Sequence, residues 1–429
     1  MTSPVTIALV GAGQRGTGYA HWAAATGKAR IVAVAEPRPH PREHAATVHE
    51  IPPEHVFRDW RDLAKQPKLA DAVIIATQDA AHVEPATALA ALGYHIMLEK
   101  PMATSDADCE RIVEAVEKAG VMMAVCHVLR YFSYTTVLRQ LIDSGRIGEI
   151  VSVEHLEPVG WWHQAHSYVR GNWRREDQST FMLMAKSVHD LDWLDYIVGR
   201  PAVRVSSFGG LHHFRPEKRP AEATDNCLDC PLEPTCPYSA KRIYLNALDG
   251  PRPRKWPASV ITDDLTETGV LQALREGPYG RCVYACDNDV VDHQVVNIEY
   301  EGGATASFTM TAFTEKAHRK TRIFGTHGCI ETDGTMMEVH DFRNDTKENL
   351  DTGMDKDTPS GSHSPADRAL VEAFVNAIAA QDPSFILSGP RDSLRTHRLA
   401  WAAERARRTG EVVRLDDTTE HQPSREHTR

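Results

Sequence analysis

Short apolar runs alternate with amphipathic stretches over the first third of the chain. The apolar runs, rich in valine, isoleucine and alanine, lie at residues 5–10, 31–35, 72–76, 95–98 and 121–125. Helical patterns separate several of them, at residues 19–26, 83–92 and 105–119. Strands that are apolar throughout and alternate with helices are typical of a parallel sheet covered on both faces. The pattern therefore predicts an N-terminal doubly wound α/β domain over residues 1–149.

The pattern changes after about residue 149. Shorter strand patterns follow at residues 151–157, 203–208, 295–300, 304–311, 321–324 and 329–332, and turn signals separate several of them. Helices are predicted at residues 365–380 and 393–409. We expect an α+β domain with a largely antiparallel open sheet over residues 150–415. A Pro-, Cys- and charge-rich insertion with little core of its own interrupts it at residues 211–291, and residues 416–429 form a polar tail that we expect to be disordered.

Length, charge and hydropathy narrow the classes of protein that fit. A chain of 429 residues is too long for one ordinary hydrophobic core, which agrees with two domains. The formal net charge of −11 repels phosphate backbones and argues against a nucleic-acid partner. No apolar run approaches the roughly 20 residues needed to span a bilayer, and the first strand pattern begins too early to leave room for a signal peptide. We therefore expect a cytoplasmic protein with no membrane partner.

A glycine-rich turn follows the first predicted strand. Gly11, Gly13 and Gly16 form a G-x-G-x-x-G motif, with Gln14 and Arg15 inside it. The first glycine permits a tight turn, the second lets the backbone approach a pyrophosphate, and the third lets helix and strand pack closely. The N-terminus of the following helix faces the anion. The motif predicts a dinucleotide-binding loop.

The end of the second predicted strand favours one dinucleotide over the other. Glu36 lies 20 residues after Gly16, where an acidic side chain binds the ribose hydroxyls and repels a 2′-phosphate. The expected cofactor is therefore NAD rather than NADP. Arg38 is close enough to weaken this preference.

Several further segments appear in a characteristic order. Glu99, Lys100 and Pro101 directly follow the apolar run 95–98. Upstream lie Thr77, Gln78 and His82, and downstream lie Arg130, Tyr131 and Phe132 and the segment 144–150. This order, together with the glycine motif, resembles the Gfo/Idh/MocA family, named for glucose–fructose oxidoreductase and inositol dehydrogenase. The resemblance covers the whole chain apart from the insertion and the tail.

The resemblance implies roles for these residues. Lys100 contacts both the nicotinamide ribose and the reacting hydroxyl, where a cation lowers the cost of alkoxide character and relays a proton. Thr77, Gln78, His82 and Glu99 line the cofactor cleft. For His82, a surface position at a helix start is the competing interpretation.

The chain departs from the family at one catalytic position. The family usually has an Asp four residues before a catalytic His. His189 matches that His and suits proton transfer near neutral pH, but the fourth residue before it is Ala185, and Lys186 stands beside that place. The expected catalytic set is therefore Lys100, His189 and Lys186. A second lysine favours a substrate with an anionic group or a transition state with developing negative charge.

Aromatic and basic residues are concentrated just before the segment that contains His189. Aromatic faces pack against sugar C–H surfaces, and guanidinium groups bind carboxylate, sulfonate or phosphate. The predicted substrate-binding residues are Trp161, Trp162, His163, Tyr168, Arg170, Trp173 and Arg174, together with Arg130 and Tyr131. The competing interpretation is an aromatic cluster in the core or at an interface.

Cysteines are clustered in the insertion. Cys227, Cys230 and Cys236 have C-x₂-C-x₅-C spacing, and Cys282 and Cys286 follow at the end of the insertion. Short irregular segments often need a metal ion to hold their shape. We expect a structural zinc ion bound by the first three cysteines, with Cys282 favoured over Cys286 as the fourth ligand. Free thiols and adventitious disulfides are the alternatives.

Three functions remain open at the level of sequence. The first is an NAD-dependent oxidoreductase that acts on a sugar, polyol or glycoside by hydride transfer. The second is an NAD-dependent glycoside hydrolase that oxidises, eliminates, hydrates and reduces with NAD recycled, including on an anionic glycoside such as a sulfoquinovoside; Tyr131 and Lys186 are candidates for its extra base. The third is a non-catalytic NAD-sensing protein. An open sheet face is often covered by a partner subunit, so a homodimer or homotetramer is expected.

Overall fold

A parallel sheet occupies the N-terminal part of the molecule. A computed structural model describes residues 3–249, 255–354 and 364–415, so the predicted polar tail lies outside the described residues. The strands, numbered in chain order, are β1 (Val5–Val10), β2 (Ala29–Ala35), β3 (Val56–Phe57), β4 (Ala72–Ile75), β5 (His95–Leu98) and β6 (Met123–Val125). They pair in parallel in the order β3-β2-β1-β4-β5-β6. The predicted parallel sheet is confirmed.

Helices connect and cover these strands. They are α1 (Gln14–Ala25), α2 (Pro39–Val48), α3 (Trp60–Ala64), α4 (Val83–Ala91), α5 (Asp106–Ala119) and, after β6, α6 (Ser133–Asp143). Helix α5 illustrates how the sequence sets the bounds. The hydroxyl of Ser105 accepts a hydrogen bond from the amide of Asp108, and Gly120 ends the helix in the left-handed conformation at φ 64°. Its buried residues recur at helical spacing and face the sheet, at Cys109, Ile112, Val113 and Val116.

The second sheet is mixed but mostly antiparallel. Its strands are β7 (Ile150–Pro158), β8 (Ala202–Gly210), β9 (His293–Tyr300), β10 (Thr305–Thr311), β11 (Lys320–Gly325), β12 (Gly328–Thr332), β13 (Met336–Asp341), β14 (Thr346–Asp351) and β15 (Val413–Arg414). The order is β14-β13-β12-β11-β7-β10-β9-β8-β15, and only β7 and β10 pair in parallel. The predicted largely antiparallel sheet is confirmed. The sequence did not predict the β13–β14 hairpin, because β14 is exposed and has no apolar alternation.

The insertion contains more structure than its composition suggests. Helices α10 (Ala240–Asp249), α11 (Ala258–Ile261) and α12 (Glu267–Glu276) lie within it. Phe214, Tyr244, Val270 and Leu274 form the centre of a buried apolar cluster there. The expectation that this segment has little core of its own is therefore wrong. Prolines and charges dominate its composition, but the apolar residues of α10 and α12 recur at helical spacing and pack against each other.

The remaining helices join the two sheets. Between β7 and β8 lie α7 (Trp161–Gln164), a π-helical turn (Ala165–Arg170), α8 (Met182–Ala185) and α9 (Val188–Val198); α13 (Ser364–Ala380) and α14 (Pro390–Thr409) follow β14. Helix α13 packs on α1, while α14 packs on α5, α9 and β8. The C-terminal helices therefore contact both sheets. In the described part of the chain, no helix has the length and apolarity needed to cross a bilayer.

Candidate active site

The glycine motif forms a close-packed loop between β1 and α1. Gly11 has φ +89°, and a Cβ there would lie 2.5 Å from the carbonyl oxygen of Ala76. A Cβ on Gly16 would overlap the carbonyl oxygen of Gly11. Gly13 is the residue before α1, whose first turn carries no acidic side chain. The loop therefore lets a phosphate approach the backbone at the positive end of a helix, as a dinucleotide requires.

Glu36 extends from the end of β2 to the same loop. Its Oε2 accepts a hydrogen bond of 2.8 Å from the amide of Ala12, and its Oε1 accepts one of 2.8 Å from Nε of Arg38. Burial alone would raise the pKa of Glu36, but the hydrogen bonds from Arg38 and Ala12 outweigh it and hold the pKa below its usual value. An ionised carboxylate beside the loop fits the ribose of NAD, while the Arg38 guanidinium lies close to it.

Two predicted cofactor residues direct their side chains elsewhere. The Arg15 guanidinium donates to Glu99 Oε1 at 2.6 Å and to both carboxylate oxygens of Asp367 at 2.8 and 2.9 Å. Glu99 Oε2 in turn accepts from the amide of Lys100 at 2.6 Å. These side chains link α1, the end of β5 and α13. Because its side chain bonds Glu99 and Asp367, Arg15 contributes only its backbone to the glycine loop. Gln14 is the first residue of helix α1.

His82 holds two loops together. Its ring is fully buried, with Nδ1 2.8 Å from the carbonyl oxygen of Pro101 and Nε2 3.3 Å from that of Thr77. The Thr77 hydroxyl donates to the carbonyl of Ala81 at 3.1 Å, and Gln78 precedes the same turn. The surface interpretation of His82 is wrong, since the ring fixes the position of the segment that follows Lys100. Thr77 and Gln78 follow β4, next to the phosphate loop.

Lys100 lies just after the carboxyl end of β5, and its side chain reaches the end of helix α8. Its Nζ donates a hydrogen bond of 2.6 Å to the carbonyl oxygen of Ala185, the last residue of α8. Burial lowers the pKa of Lys100; Glu99 and Asp79 oppose this effect, and Lys186 adds to it. A buried amine with a lowered pKa, at the end of a parallel strand, is suited to exchange a proton with a bound hydroxyl.

His189 lies in the first turn of α9 and is buried. Its ring meets that of His127 edge to face, with centroids 5.9 Å apart, and His127 meets His397 in the same way at 5.7 Å. Burial lowers the pKa of His127 to about 4. The sequence analysis missed His127. The signal that could have identified it is its place just after β6, since ligands bind at the carboxyl ends of parallel strands.

Lys186 belongs to a buried network of charges. Its Nζ lies 2.9 Å from Glu157 Oε1, and Arg319 Nη2 lies 2.9 Å from Glu157 Oε2. Arg319 also bonds Asp190, whose carboxylate is 3.1 Å from Nε2 of His155. The acid that the chain lacks at position 185 is thus present beside Lys186, but it comes from β7. Glu157 falls on the inward-facing side of that strand, and a carboxylate on an inward face was the signal that the sequence analysis overlooked.

A cavity adjoins this network. Lys186, Glu157 and Arg319 line it, together with Asp333 and Lys316. Lys100 is not among the lining residues, but the charge of Lys186 contributes to the lowered pKa of Lys100. Its volume of about 30 Å³ has room for about one water molecule, so this cavity by itself does not hold a sugar ring.

Arg130 and Tyr131 were predicted to bind substrate, but both side chains form hydrogen bonds within the protein. Arg130 is buried and donates two hydrogen bonds of 2.7 Å to the carboxylate of Asp192 and one to the carbonyl of Leu387. Tyr131 bonds the hydroxyl of Ser388 at 3.1 Å and accepts from the amide of Leu387 at 2.9 Å. Burial raises the pKa of Tyr131 to about 12. These contacts argue against Arg130 as an anion ligand and against Tyr131 as a catalytic base.

Arg170 and Arg174 hold the insertion in place. Arg170 is buried and donates to the carbonyls of Arg281 and Tyr238 at 2.7 and 2.8 Å. Arg174 forms a two-bond ion pair with Asp287 at 2.9 and 3.2 Å. Both guanidinium groups therefore anchor the insertion to the chain before α8. The prediction that they bind the substrate's anionic group does not fit these contacts.

The aromatic residues divide into two groups. Tyr168 is buried, and burial together with the nearby carboxylates Glu157, Asp79 and Asp190 raises its pKa. Trp173 donates from Nε1 to Asp79 at 3.3 Å. These two rings pack near the charged network. Trp161, Trp162 and His163 belong to α7; burial and the charges of Lys316 and Lys186 lower the pKa of His163.

The cysteines of the insertion do not form a metal site in this structure. Within residues 3–249, 255–354 and 364–415, no group of three or more His, Cys, Asp or Glu side chains is arranged to hold a metal ion. Cys227 takes part in hydrogen bonds with Arg170 at 3.5 Å and with the carbonyl of Arg281 at 3.8 Å. Burial raises the pKa of Cys236 and of Cys282. The structure therefore does not support the predicted zinc site.

Comparisons with known proteins agree with this architecture. The model of the oxidoreductase family's NAD-binding Rossmann fold matches residues 5–127, and the model of its C-terminal alpha/beta domain matches residues 139–415. The chain is 27% identical over 268 residues to the putative oxidoreductase YteT of Bacillus subtilis, a match that covers 61% of this chain and 60% of that protein. It is 33% identical over 150 residues to the 2,7-anhydro-N-acetylneuraminate hydratase of Escherichia coli, covering 35% and 39%. The chain thus spans less than two thirds of the length of these curated relatives.

Solved structures share the fold over almost the whole chain. A levoglucosan dehydrogenase in complex with NADH and levoglucosan superposes with a TM-score of 0.71 at 18% identity, covering 96% of this chain and 100% of that one. An oxidoreductase from Agrobacterium radiobacter in complex with NAD⁺, L-tartaric acid and magnesium gives a TM-score of 0.70 at 17% identity, covering 96% and 99%. The two family models together account for most of the sequence. This chain is a member of the Gfo/Idh/MocA oxidoreductase family with an NAD-binding Rossmann fold.

Proposed function

We propose that the protein is an NAD-dependent oxidoreductase that removes hydride from a hydroxyl-bearing carbon of a sugar, polyol or glycoside. The observation that carries this proposal is the position of Lys100. Its buried Nζ lies at the carboxyl end of the parallel sheet, where this fold binds nicotinamide. The same amine contacts the segment that leads into His189. Inositol 2-dehydrogenase, a relative 35% identical over 98 residues, is named for chemistry of this kind.

The residues of the site divide the proton chemistry between them. When bound, NAD supplies the acceptor for the hydride. Lys100, with its lowered pKa, is placed to accept the hydroxyl proton or, when charged, to stabilise a developing alkoxide. His189 is the second proton-exchanging group, because its imidazole lies in the first turn of α9, just after the segment that Lys100 contacts. Asp79 and Glu99 moderate the loss of charge on Lys100.

A second candidate is redox-neutral cleavage or hydration of a glycoside with the cofactor recycled. That chemistry needs a further base to remove the proton next to the oxidised carbon. Lys186 is the candidate in this chain because its charge acts on Lys100, although its ion pair with Glu157 at 2.9 Å must open before its amine can accept a proton. The Escherichia coli relative is named as a hydratase of an anhydro sugar acid, a name that fits water addition and an anionic substrate.

Stoichiometry separates these functions. A panel of sugars, polyols and glycosides is incubated with the NAD-loaded protein, and NADH and sugar products are measured together. Equal amounts of NADH and oxidised product support the dehydrogenase, whereas cleavage or hydration without net NADH supports the second candidate. Lys100→Ala should lower turnover on the order of 10²-fold or more and His189→Ala on the order of 10²- to 10⁴-fold. NAD binding without any sugar chemistry would instead support an NAD-sensing protein.

Lys186→Ala tests whether Lys186 acts in catalysis or in substrate binding. If Lys186 moves a proton, turnover falls for charged and neutral substrates alike. If it binds an anionic substituent, KM rises for charged substrates only. The control is Lys320→Ala, which removes an exposed lysine from β11. Activity of Lys186→Ala equal to the parent on every substrate would show that neither role is correct.

Cofactor preference, assembly and metal content complete the proposal. We expect NAD in preference to NADP, a homodimer or homotetramer, and a cytoplasmic location. The spacing of Cys227, Cys230, Cys236 and Cys282 is what still favours a structural zinc ion. Metal analysis of the purified, folded protein decides this point: about one zinc ion per chain supports the site, and none removes it.

A further inference from the structure

A second cavity lies between α7 and α10. It has a volume of about 370 Å³ and is lined by Trp161, Trp162, Pro237, Arg242, Ile243 and Asn246. That volume falls within the range of roughly 300–1,000 Å³ typical of small-molecule sites. Four of the six lining residues belong to the insertion. The insertion therefore forms most of one wall of this cavity, and α7 forms the other.

This cavity is next to the one beside Lys186. The Lys316 ammonium lies over the rings of Trp162 and Trp256, at 5.3 and 4.7 Å from their centroids, and Lys316 also lines the first cavity. The backbone of residue 316 packs against Gly160, where an added Cβ would come 2.8 Å from its amide nitrogen. A ligand long enough to pass Lys316 would therefore reach both cavities.

The lining has the chemistry of a sugar-binding site. Indole faces pack against the C–H face of a pyranose ring, and their own N–H groups and nearby amides bond hydroxyls. Arg242 and Asn246 lie on one helix at i and i+4, so their side chains emerge on the same face. A guanidinium and an amide together offer several donors and one acceptor to hydroxyl groups. The wall is thus partly aromatic and partly hydrogen-bonding, as a sugar ring requires.

We propose that this cavity is a subsite for a second sugar unit, so that the substrate is a disaccharide or a longer glycoside rather than a free monosaccharide. This inference rests on the proposed function, in which the sugar next to Lys100 is oxidised. The unit that reacts lies near Lys100 and Lys186, and the neighbouring unit stacks on Trp161 and Trp162. The insertion then determines substrate length, and the buried Arg170 and its carbonyl partners keep that wall in place.

The test compares monosaccharides with disaccharides that contain them. Affinities of the NAD-loaded protein are measured by calorimetry for glucose, galactose and mannose and for a panel of their 1→3-, 1→4- and 1→6-linked disaccharides. NAD reduction and sugar products are followed on the same panel. At least one disaccharide should bind about tenfold or more tightly than its component monosaccharides. Trp162→Ala should abolish that advantage, and Asn246→Ala should reduce it several-fold.

Matched variants separate the subsite from folding effects and from the proposed function. Asn246 is exposed on α10, so its replacement should leave the fold intact, and Lys241→Ala on the same helix should leave all affinities unchanged. Equal affinity for monosaccharides and disaccharides, with Lys100-dependent oxidation retained, would overturn the subsite alone. Equal losses for both sugar classes in Asn246→Ala would also overturn it. If no sugar in this panel binds or reacts, the subsite is wrong, and the wider panel of sugars, polyols and glycosides decides the proposed function.

Discussion

Lys100 donates a hydrogen bond to the carbonyl oxygen of Ala185, the position at which the family usually has an Asp. A carbonyl dipole stabilises an ammonium less than a full negative charge does. Burial therefore lowers the pKa of Lys100, and Glu99 and Asp79 only partly compensate. An acidic side chain at position 185 would offset part of this effect, so we expect its absence to favour the neutral form of Lys100. The neutral amine is the form that accepts a proton from a hydroxyl group, as oxidation of that group requires.

Restoring the acid should reverse this tuning. We expect Ala185→Asp to raise the pKa of Lys100, because an opposite charge within about 4–6 Å typically shifts a pKa by about 1–3. Activity that depends on neutral Lys100 rises with pH through its pKa, so that limb of the kcat/KM profile should move to higher pH by about one unit or more. Ala185→Asn adds the same volume without charge and should leave the limb in place. Equal shifts in both variants would contradict the electrostatic explanation.

Cofactor choice depends on the pair formed by Glu36 and Arg38. The carboxylate is buried and the guanidinium is 62% exposed. Glu36 bonds Arg38 in the parent protein, and we expect it to repel a 2′-phosphate. Glu36→Ala should therefore weaken NAD binding and release a cation that attracts NADP, so that the ratio of the two affinities falls. Titration of both cofactors measures this ratio. Glu36→Ala/Arg38→Ala should gain less NADP affinity, and equal affinities in the parent would contradict the assignment.

At the scale of secondary-structure elements, the spacing of apolar residues predicted the strands and helices that bury an apolar face. Most strands of both sheets and helices α4, α5, α13 and α14 follow from their buried positions, whereas the two-residue strands β3 and β15 and the hairpin β13–β14 were not predicted. Helices α10 and α12 were missed because the predominance of proline and charge in the insertion hid a helical apolar spacing. In the candidate site, the glycine loop, Glu36 and Lys100 could be predicted from their place at strand ends. Arg170 could not, because its partners are backbone carbonyls more than 60 residues away in sequence.

Arginine side chains serve two purposes in proteins: they bind anionic ligands, and they hold parts of the fold together. Arg130 and Arg170 are both buried, and their guanidinium groups donate to acceptors of the protein itself. Sequence alone does not distinguish these uses, because Asp192, the partner of Arg130, is 62 residues distant along the chain. The pair fixes α9, and therefore His189, against the turn that follows β6. Arg130 is thus a positioning residue of the candidate site.

Loss of Arg130 should affect stability before it affects substrate binding. Arg130→Met leaves the buried Asp192 carboxylate without its main partner, which typically costs about 3–5 kcal/mol. Urea unfolding should show this loss, while KM of the remaining folded enzyme for a sugar stays near that of the parent. Arg130 and Arg139 both lie over the ring of Tyr196. Arg139→Met, which removes the more exposed of the two, should cost about 1 kcal/mol. A large rise in KM without loss of stability would instead support the original assignment as a substrate ligand.

At the scale of the whole molecule, the C-terminal helices join the two sheets. Arg398 of α14 bonds Asp106 of α5 at 2.8 Å, and His397 accepts a hydrogen bond of 2.9 Å from the amide of Met102. On its other side, α14 meets α9, where Arg395 lies 3.3 Å from Asp195. A group at the α9–α14 junction therefore influences the stability of both sheets together. Asp195 is a titratable group at this junction, and its pKa is raised to about 6.

Asp195 makes stability depend on pH in the opposite sense from most carboxylates. Burial raises its pKa from 3.8 to about 6, and Arg395 only partly opposes this. Between these two values the folded chain binds the proton more tightly than the unfolded chain does. The contribution of Asp195 to the free energy of unfolding therefore falls as pH rises from about 4 to about 6. The total amounts to about 3 kcal/mol by linkage. The carboxylates of Asp190, Asp192 and Glu99, whose pKa values are lowered, act in the other direction.

Asp195→Asn isolates this contribution from those of the other carboxylates. The amide carries no charge to bury, so the variant should be more stable than the parent at pH 8, by up to about 3 kcal/mol. Near pH 4, where Asp195 is protonated in the parent, the difference should largely disappear. Urea unfolding at pH 4, 6 and 8 measures it, provided that NAD is omitted, since a ligand of the folded state adds its own stabilisation. Asp62→Asn, at an exposed ion pair on α3, should change the free energy of unfolding by less than about 0.5 kcal/mol. A variant that is less stable than the parent at pH 8 would show that the ion pair with Arg395 outweighs the cost of burying the Asp195 charge.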